Sequence, residues 1–429
     1  MFTALSGSKI GKLRSFSMRK RVVVTGLGIV SPLGNDLETA WTACRSGRSG
    51  IGLITRFDAS DLKTHIAGEV RNFEIPSVIP AKDAKKMDVL DLYAIAATQQ
   101  ALDDAGLKIT DDIADDVGVS LGVGIGGEVT LEKNVLLMEE KGPGRISPFF
   151  VPMILPNMAA GYVSLTFGTR NYNAVTLSAC ASSSHAIGDA FRHIERGDAK
   201  AMIVGGSEGA LTKLCMGGFA AMKALSTRND APEKASRPYD RDRDGFVFSE
   251  GAAILILEEL EFAQARGARI YCELAGYGVS SDAHHISAPT VEGPARSIRL
   301  AIKDAGATPD QLDYINAHAT STPVGDINEL RAIQTVLQEH ASKISVSATK
   351  SMTGHMLGAA GAIEAVLTVM AMQDNFVPPS INIDNLDPDC ELDVTPNEGR
   401  ERSIDLALSN SFGFGGTNAS LVFRRLKDV

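Results

Sequence analysis

The chain is poor in everything that would tie it to a membrane, a nucleic acid or an oxidising compartment. No uninterrupted apolar run reaches the ~20 residues a membrane-spanning helix needs. The most lipid-like stretch, Met356 to Met372, is broken by Glu364 and predicts a buried helix instead. A net charge of −10 argues against non-specific nucleic-acid binding. The five cysteines (Cys44, Cys180, Cys215, Cys272, Cys390) are odd in number and scattered, and no pair has metal-ligand spacing. They suit a reduced, cytosol-like compartment rather than a disulfide framework. Aromatics are scarce, at 6% with a single Trp.

What is present is an ordinary globular mix, 44% hydrophobic and 22% charged, with 41 glycines among 429 residues. Residues 1–17 carry Lys9, Lys12 and Arg14, recurrent serine and no acid. Two readings fit that composition. An upstream start before Met18 implies a bacterial-type cytoplasmic protein, and a weak transit segment implies a mitochondrion or plastid.

Short apolar strands are predicted at Arg21-Val-Val-Val-Thr-Gly, Val117-Gly-Val-Ser-Leu-Gly, Ala174-Val-Thr-Leu-Ser and Ala201-Met-Ile-Val-Gly-Gly. Helical patterns at 92–105 and 185–196 alternate with them, which points to an α/β fold with buried sheets. The second half then repeats the first. Ala101-Leu-Asp-Asp-Ala-Gly106 matches Ala301-Ile-Lys-Asp-Ala-Gly306, and Arg21-Val-Val-Val-Thr-Gly-Leu-Gly matches Ile270-Tyr-Cys-Glu-Leu-Ala-Gly-Tyr-Gly. Val175 to Cys180 and Val346 to Lys350 both predict strands entering helices. Three coincidences in one order indicate two similar halves, 18–265 and 266–429, fused into one compact unit behind the extension 1–17.

Gly26-Leu-Gly28 lacks the third glycine and the acidic partner of a dinucleotide site, so a structural turn is predicted there. Gly122-Val-Gly-Ile-Gly-Gly127 lacks the Lys-Ser/Thr of a phosphate loop. Cys180 is different. It closes a strand and precedes Ala181-Ser-Ser-Ser184 and a helix, where free N–H groups and the helix dipole favour a thiolate. A buried structural cysteine is the alternative. His318 stands at the exit of the strand Tyr314-Ile-Asn-Ala. Lys350 stands at another strand exit, with His355 expected at the start of a small-residue helix. Functional groups collect at the carboxyl ends of strands in such folds.

With these residues in place, the chain resembles the β-ketoacyl-acyl-carrier-protein synthases, type II, of the thiolase superfamily, from about Arg19 onward. The carrying motifs are Val22–Gly28, Ile146–Pro152, Ser178–Cys180, Ser236–Asp240, Asn316–Pro323, Thr349–His355 and Asn410–Asn418. The resemblance implies a thiolase-like fold of two βαβαβαββ halves in a five-layer αβαβα sandwich. It implies an acyltransferase of fatty acid elongation, with Cys180 as acyl-carrying nucleophile beside His318 and His355. Lys350 is then supportive, fixed by Glu364. An oxyanion hole is expected from the N–H groups of Cys180 and Phe414, and a gate from Gly413, Phe414, Gly415 and Gly416. Thr320 and Thr322 would hold a phosphopantetheine arm, and Ile125 would limit acyl-pocket depth. No cofactor is required, since the arm arrives on the acyl-carrier protein. In some members Asn316, Glu364, Ser409 and Asn410 surround a structural cation; no metal serves catalysis. Lys82, Lys85, Lys86, Arg145, Lys223 and Arg228 would dock the acidic carrier, and family members are homodimers.

Two positions depart from the family pattern. Ser183 and Ser249 replace usual glycines, and each puts a side chain where close packing or positive φ is expected. Acyl-chain length and dimer packing are the properties they put in question. Ala319 after His318 is a milder change. Rival readings are a polyketide-type ketosynthase and a non-catalytic chain-length factor or carrier scaffold. Thiolases need a second cysteine near the C-terminus, where this chain has Phe412-Gly-Phe-Gly-Gly416, and type III enzymes use His and Asn rather than two histidines.

Overall fold

The computed structural model describes residues 19–427; the extension 1–17 lies outside the described residues. Ten strands make one continuous sheet. They are Val22–Val30 (β1), Val117–Gly122 (β2), Asn173–Thr176 (β3), Ala201–Glu208 (β4), Gly251–Glu259 (β5), Cys272–Ser281 (β6), Tyr314–Asn316 (β7), Ser345–Ser347 (β8), Leu406–Gly413 (β9) and Thr417–Arg424 (β10). Five helices frame the site: Val89–Ala105 (α1), Ser182–Glu195 (α2), Glu292–Asp304 (α3), Gly325–Leu337 (α4) and Ala360–Asp374 (α5).

Read from the centre outward, one side runs β1, β5, β4, β2, β3 and the other β6, β10, β9, β7, β8. The order is the same in both, and so are the directions. β2 lies parallel to β3 and β4, and β5 is antiparallel to β4 and β1. β7 lies parallel to β8 and β9, and β10 is antiparallel to β9 and β6. The two sets join where Val22–Val24 pairs with Cys272–Leu274.

Three apolar cores separate the layers. α1 packs on the outer face of the first set, and α3 and α4 cover the second. Between the sets, α2 and α5 share a core built from strands of both, including Leu27, Leu255, Leu274 and Phe423. This is the αβαβα sandwich that the repeat and the family pattern predict. Both faces of β1 are buried, which accounts for its continuous apolar run. Among the described residues no helix is long and apolar enough to cross a membrane.

The glycines of β1 form no turn; they lie within the strand. A side chain at Gly26 or Gly28 would overlap the carbonyl oxygens of Ala101 or Ala97 in α1. Gly276 and Gly278 of β6 stand in the same relation to Ala301 and Ser297 of α3. Small residues on strand and helix therefore bring backbone against backbone in both halves, and each helix ends at a left-handed glycine, Gly106 or Gly306. Gly28→Ala should cost more than about 2 kcal/mol because nothing there can yield. Gly306→Ala, with open space around it, should cost about 1 kcal/mol from its positive φ alone. Urea unfolding of both variants checks the ranking.

Candidate active site

Cys180 lies in a single tight turn, Ala179–Ala181, between β3 and α2. Ala179 has φ of 51°, a strained conformation for a residue with a Cβ, and the turn places the sulfur beneath the ends of the strands. His355 Nε2 is 3.0 Å from Sγ. The ligating atoms of Cys180, His318 and His355 all lie within 4.8 Å of one another. His355 does not start a helix as its sequence context predicts. It sits in an extended link, where its N–H donates to Val247 O at 2.8 Å and its carbonyl accepts from Ser249 N at 3.0 Å. α5 begins only at Ala360.

His318 follows β7, and its loop is held by two acids of α4. The N–H groups of His318 and Ala319 donate to Glu329 at 2.9 and 2.8 Å. Those of Ser321 and Thr322 donate to Asp326 at 3.1 and 3.2 Å. Asp326 and Glu329 were missed in the sequence reading. Their signal was two acids three apart in a helix that opens just after the histidine loop, where side chains can reach back to unpaired N–H groups.

Lys350 is fully buried, forms an ion pair with Glu364 of α5, and has Nζ 3.5 Å from His318 Nδ1. Burial first, then the Lys350 charge, holds both imidazoles well below their usual range; His355 adds to the effect on His318. Both rings are thus neutral at pH 7. Burial also pushes the Cys180 thiol up to about 11, against the pull of Lys350 and of the N–H groups of Phe414 and Cys180 aimed at Sγ. The thiolate expected from the helix terminus is overruled. Desolvation outweighs the dipole, so the resting pair is thiol and imidazole.

Cys180, His318 and His355 line a cavity of about 520 Å³. Ile125, Thr320, Thr322, Gly413, Phe414 and Gly416 also line it, and Lys223 is part of its wall. The Thr320 and Thr322 hydroxyls are 3.2 Å apart. Phe414 is 36% exposed on the turn between β9 and β10. Gly415 and Gly416 have φ of 83° and 73°, and a Cβ at Gly416 would collide with Asp282. This turn is tied to a second segment that the sequence did not reveal. Gly415 N donates to Ile286 O at 2.7 Å, and Asp282 N donates to Gly416 O at 2.9 Å.

The models of the "Beta-ketoacyl synthase, N-terminal domain" and the "Beta-ketoacyl synthase, C-terminal domain" match residues 19–263 and 271–384. The chain belongs to the β-ketoacyl synthase family. A 3-oxoacyl-[acyl-carrier-protein] synthase 2 of Synechocystis is 53% identical over 409 residues, covering 95% of this chain and 98% of that protein. The protein of the same name from Coxiella burnetii is 52% identical, covering 96% and 100%. Among solved structures, the ishigamide ketosynthase/chain length factor superposes with a TM-score of 0.89 at 36% identity, covering 95% of this chain and 100% of that one. A type II polyketide acyl-carrier protein in complex with its ketosynthase gives 0.88 at 35% identity, with the same coverage.

In this ketosynthase neither serine departure lines the cavity. Neither has positive φ. Ser183, on α2, accepts the N–H of Ala362 in the first turn of α5 at 2.9 Å, satisfying a helix-terminal donor across the seam between the two central helices. Ser249 is buried with its hydroxyl unpartnered, packed against Gly68 and Gly354. Lys82, Lys85 and Arg145 are exposed, while Lys86 and Arg228 are half-buried. Lys86 lies 5.4 Å from the Phe149 ring centre. Asn316 pairs across the sheet with Ser409 and donates to Glu364 O at 3.2 Å, while Asn410 donates to Glu329 at 3.0 Å. Ser183→Gly should lower stability by about 1 kcal/mol, the worth of a helix-terminal hydrogen bond, and leave acyl-length preference unchanged. Thermal unfolding and a product-length profile check both halves of that expectation.

Proposed function

We propose that this ketosynthase elongates fatty acyl chains by decarboxylative Claisen condensation of malonyl-acyl-carrier protein with an acyl group held on Cys180. The observation that carries the reading is one thiol facing two neutral imidazoles at the floor of a cavity flanked by two threonines. In the first step Cys180 attacks the acyl thioester. The thiol proton leaves on the carrier's sulfur, with His355 Nε2, 3.0 Å away, as relay. The departing carrier takes its phosphopantetheine arm with it, and the Thr320 and Thr322 hydroxyls suit the polar groups of such an arm.

Malonyl carrier then enters and loses carbon dioxide, and the bond's electron pair becomes an enolate. Lys350 has only donors to offer His318 Nδ1, so Nδ1 accepts and the proton resides on Nε2. That tautomer points an N–H toward the developing oxyanion. The enolate carbon attacks the Cys180 thioester, whose oxygen is met by the N–H groups of Cys180 and Phe414, and collapse expels the cysteine thiolate, which takes a proton from solvent to restore the resting thiol.

Several features support the finer points. Elongation is favoured over polyketide assembly because the relatives near 50% identity are named 3-oxoacyl-[acyl-carrier-protein] synthase 2, whereas the type II polyketide ketosynthase stands at 35%. A scaffold would not need the whole triad. The basic residues from Lys82 to Arg228 suit an acidic carrier. β3 is a free sheet edge flanked by exposed Leu165, Tyr172 and Leu177, which suits pairing with a second copy. Glu364 Oε2 and Ser409 Oγ are buried without partners; hard oxygens of this kind suit a structural cation held with Asn316 and Asn410. Bacterial relatives favour a cytoplasmic setting.

Cys180→Ala should abolish condensation while malonyl decarboxylation persists, measured by product mass and carbon dioxide release. Equal loss of both would overturn the division of labour. The depressed histidines set a pH expectation as well. Their charged forms appear only well below the ordinary ~6.5, whereas burial raises the neighbouring Glu329 and Glu364 carboxyls to about 7. Activity alone cannot separate the two, so the nitrogen NMR signals of the His318 and His355 rings should show no protonation as pH falls through ~6.5. A ring titration centred near ~6.5 would mean the imidazoles titrate normally.

A further inference from the structure

Glu208 ends β4, is fully buried, and has no part in the steps above. One of its oxygens, Oε2, accepts two N–H groups from different segments: Gly124 at 2.8 Å and Gly358 at 3.2 Å. The other, Oε1, has no partner. Gly124 precedes Ile125, and Gly358 follows Leu357; both Ile125 and Leu357 line the cavity. Leu357 has φ of 43°, a conformation that a leucine keeps only when its surroundings impose it.

The seam around this carboxyl leaves no slack. A side chain at Gly358 would overlap the backbone of Gly124, and one at Gly206 would press on Ser183 and the Gly358 carbonyl. Nothing covalent joins the segment after β2 to the segment before α5 at this point. The shared carboxylate oxygen does so. Burial raises the Glu208 carboxyl to about 7, and the N–H groups of Gly124 and Gly358 pull it back.

We propose that Glu208 is a positioning residue for acyl-chain selectivity, holding the Ile125 and Leu357 walls of the cavity at a fixed separation. The proposal rests on the condensing-enzyme reading. It places the control of chain length one layer behind the residues that touch the chain. Because a single oxygen takes both N–H groups, an amide can replace the acid, whereas an apolar side chain of similar size cannot.

The test uses full-length protein, acyl-carrier thioesters of graded length and malonyl carrier, with kcat/KM for each length and malonyl decarboxylation as separate readouts. Glu208→Met should shrink the ratio between best and poorest primers by about tenfold, as expected when a wall-fixing hydrogen bond is lost. Decarboxylation should stay within about twofold, since its groups lie elsewhere. Glu208→Gln should keep the wild-type profile. The proposal is overturned if Glu208→Met keeps the wild-type length profile, or loses every activity in proportion. Equal damage in Glu208→Gln also overturns it. Should the Met variant not fold, Glu208→Asp, whose carboxyl stops one methylene short of the seam, carries the same expectation. Absence of condensation in the wild-type protein would instead sink the underlying reading, and that control is run first.

Discussion

The buried pair of Lys350 and Glu364 is the interaction on which the site depends. An ammonium in this interior would be untenable alone, and a carboxylate equally so. Together they bring a full positive charge within 3.5 Å of His318. That charge does three things at once. It adds to burial in keeping both imidazoles neutral, it fixes the tautomer of one, and it offsets part of the desolvation that raises the Cys180 thiol. The pair also bridges the end of β8 to α5, so electrostatics and architecture share one contact.

A nearly symmetric frame carries a wholly asymmetric site. The exits of β3 and β8 are equivalent, yet one leads to Cys180 and the other to Lys350. The exits of β2 and β7 are equivalent too, and lead to the Gly124–Ile125 wall and to His318. β4 ends at Glu208 where β9 ends at the phenylalanine turn. Duplication gave two copies of each strand end, facing one another across α2 and α5. Divergence then gave the two copies of each strand end different tasks.

The strand-helix alternation, the repeat and the meeting of Cys180, His318 and His355 are legible because each rests on short-range signals: apolar runs, a glycine-ended helix, a reactive side chain at a strand exit. The residues that hold the triad in place were less so. Glu208, Asp326 and Glu329 are acids, and an acid in a sequence looks solvated until the fold shows which N–H groups surround it. Asp282 and Ile286 meet the phenylalanine turn from more than a hundred residues away, and no local pattern announces that. Glycine signals a turn locally, and only the approach of α1 reveals Gly26 and Gly28 as a packing device. The charge state of Cys180 is hidden for a related reason. A helix terminus is visible in sequence, and full burial is not.

The paired glycines of β1 and β6 also record how the chain grew. Gly26 and Gly276 are 250 residues apart, whereas the alanines they meet, Ala101 and Ala301, are 200 apart, a difference of 50. One copy therefore carries fifty more residues between strand and helix than the other, and they lie in the first half. The lysines at 82, 85 and 86 fall within that stretch. Whichever copy changed length, the ancestral doubled frame needed no such segment to close its sheet. Those three lysines thus stand on a segment with no counterpart in the second half, so it can change without disturbing the strand ends that both halves share.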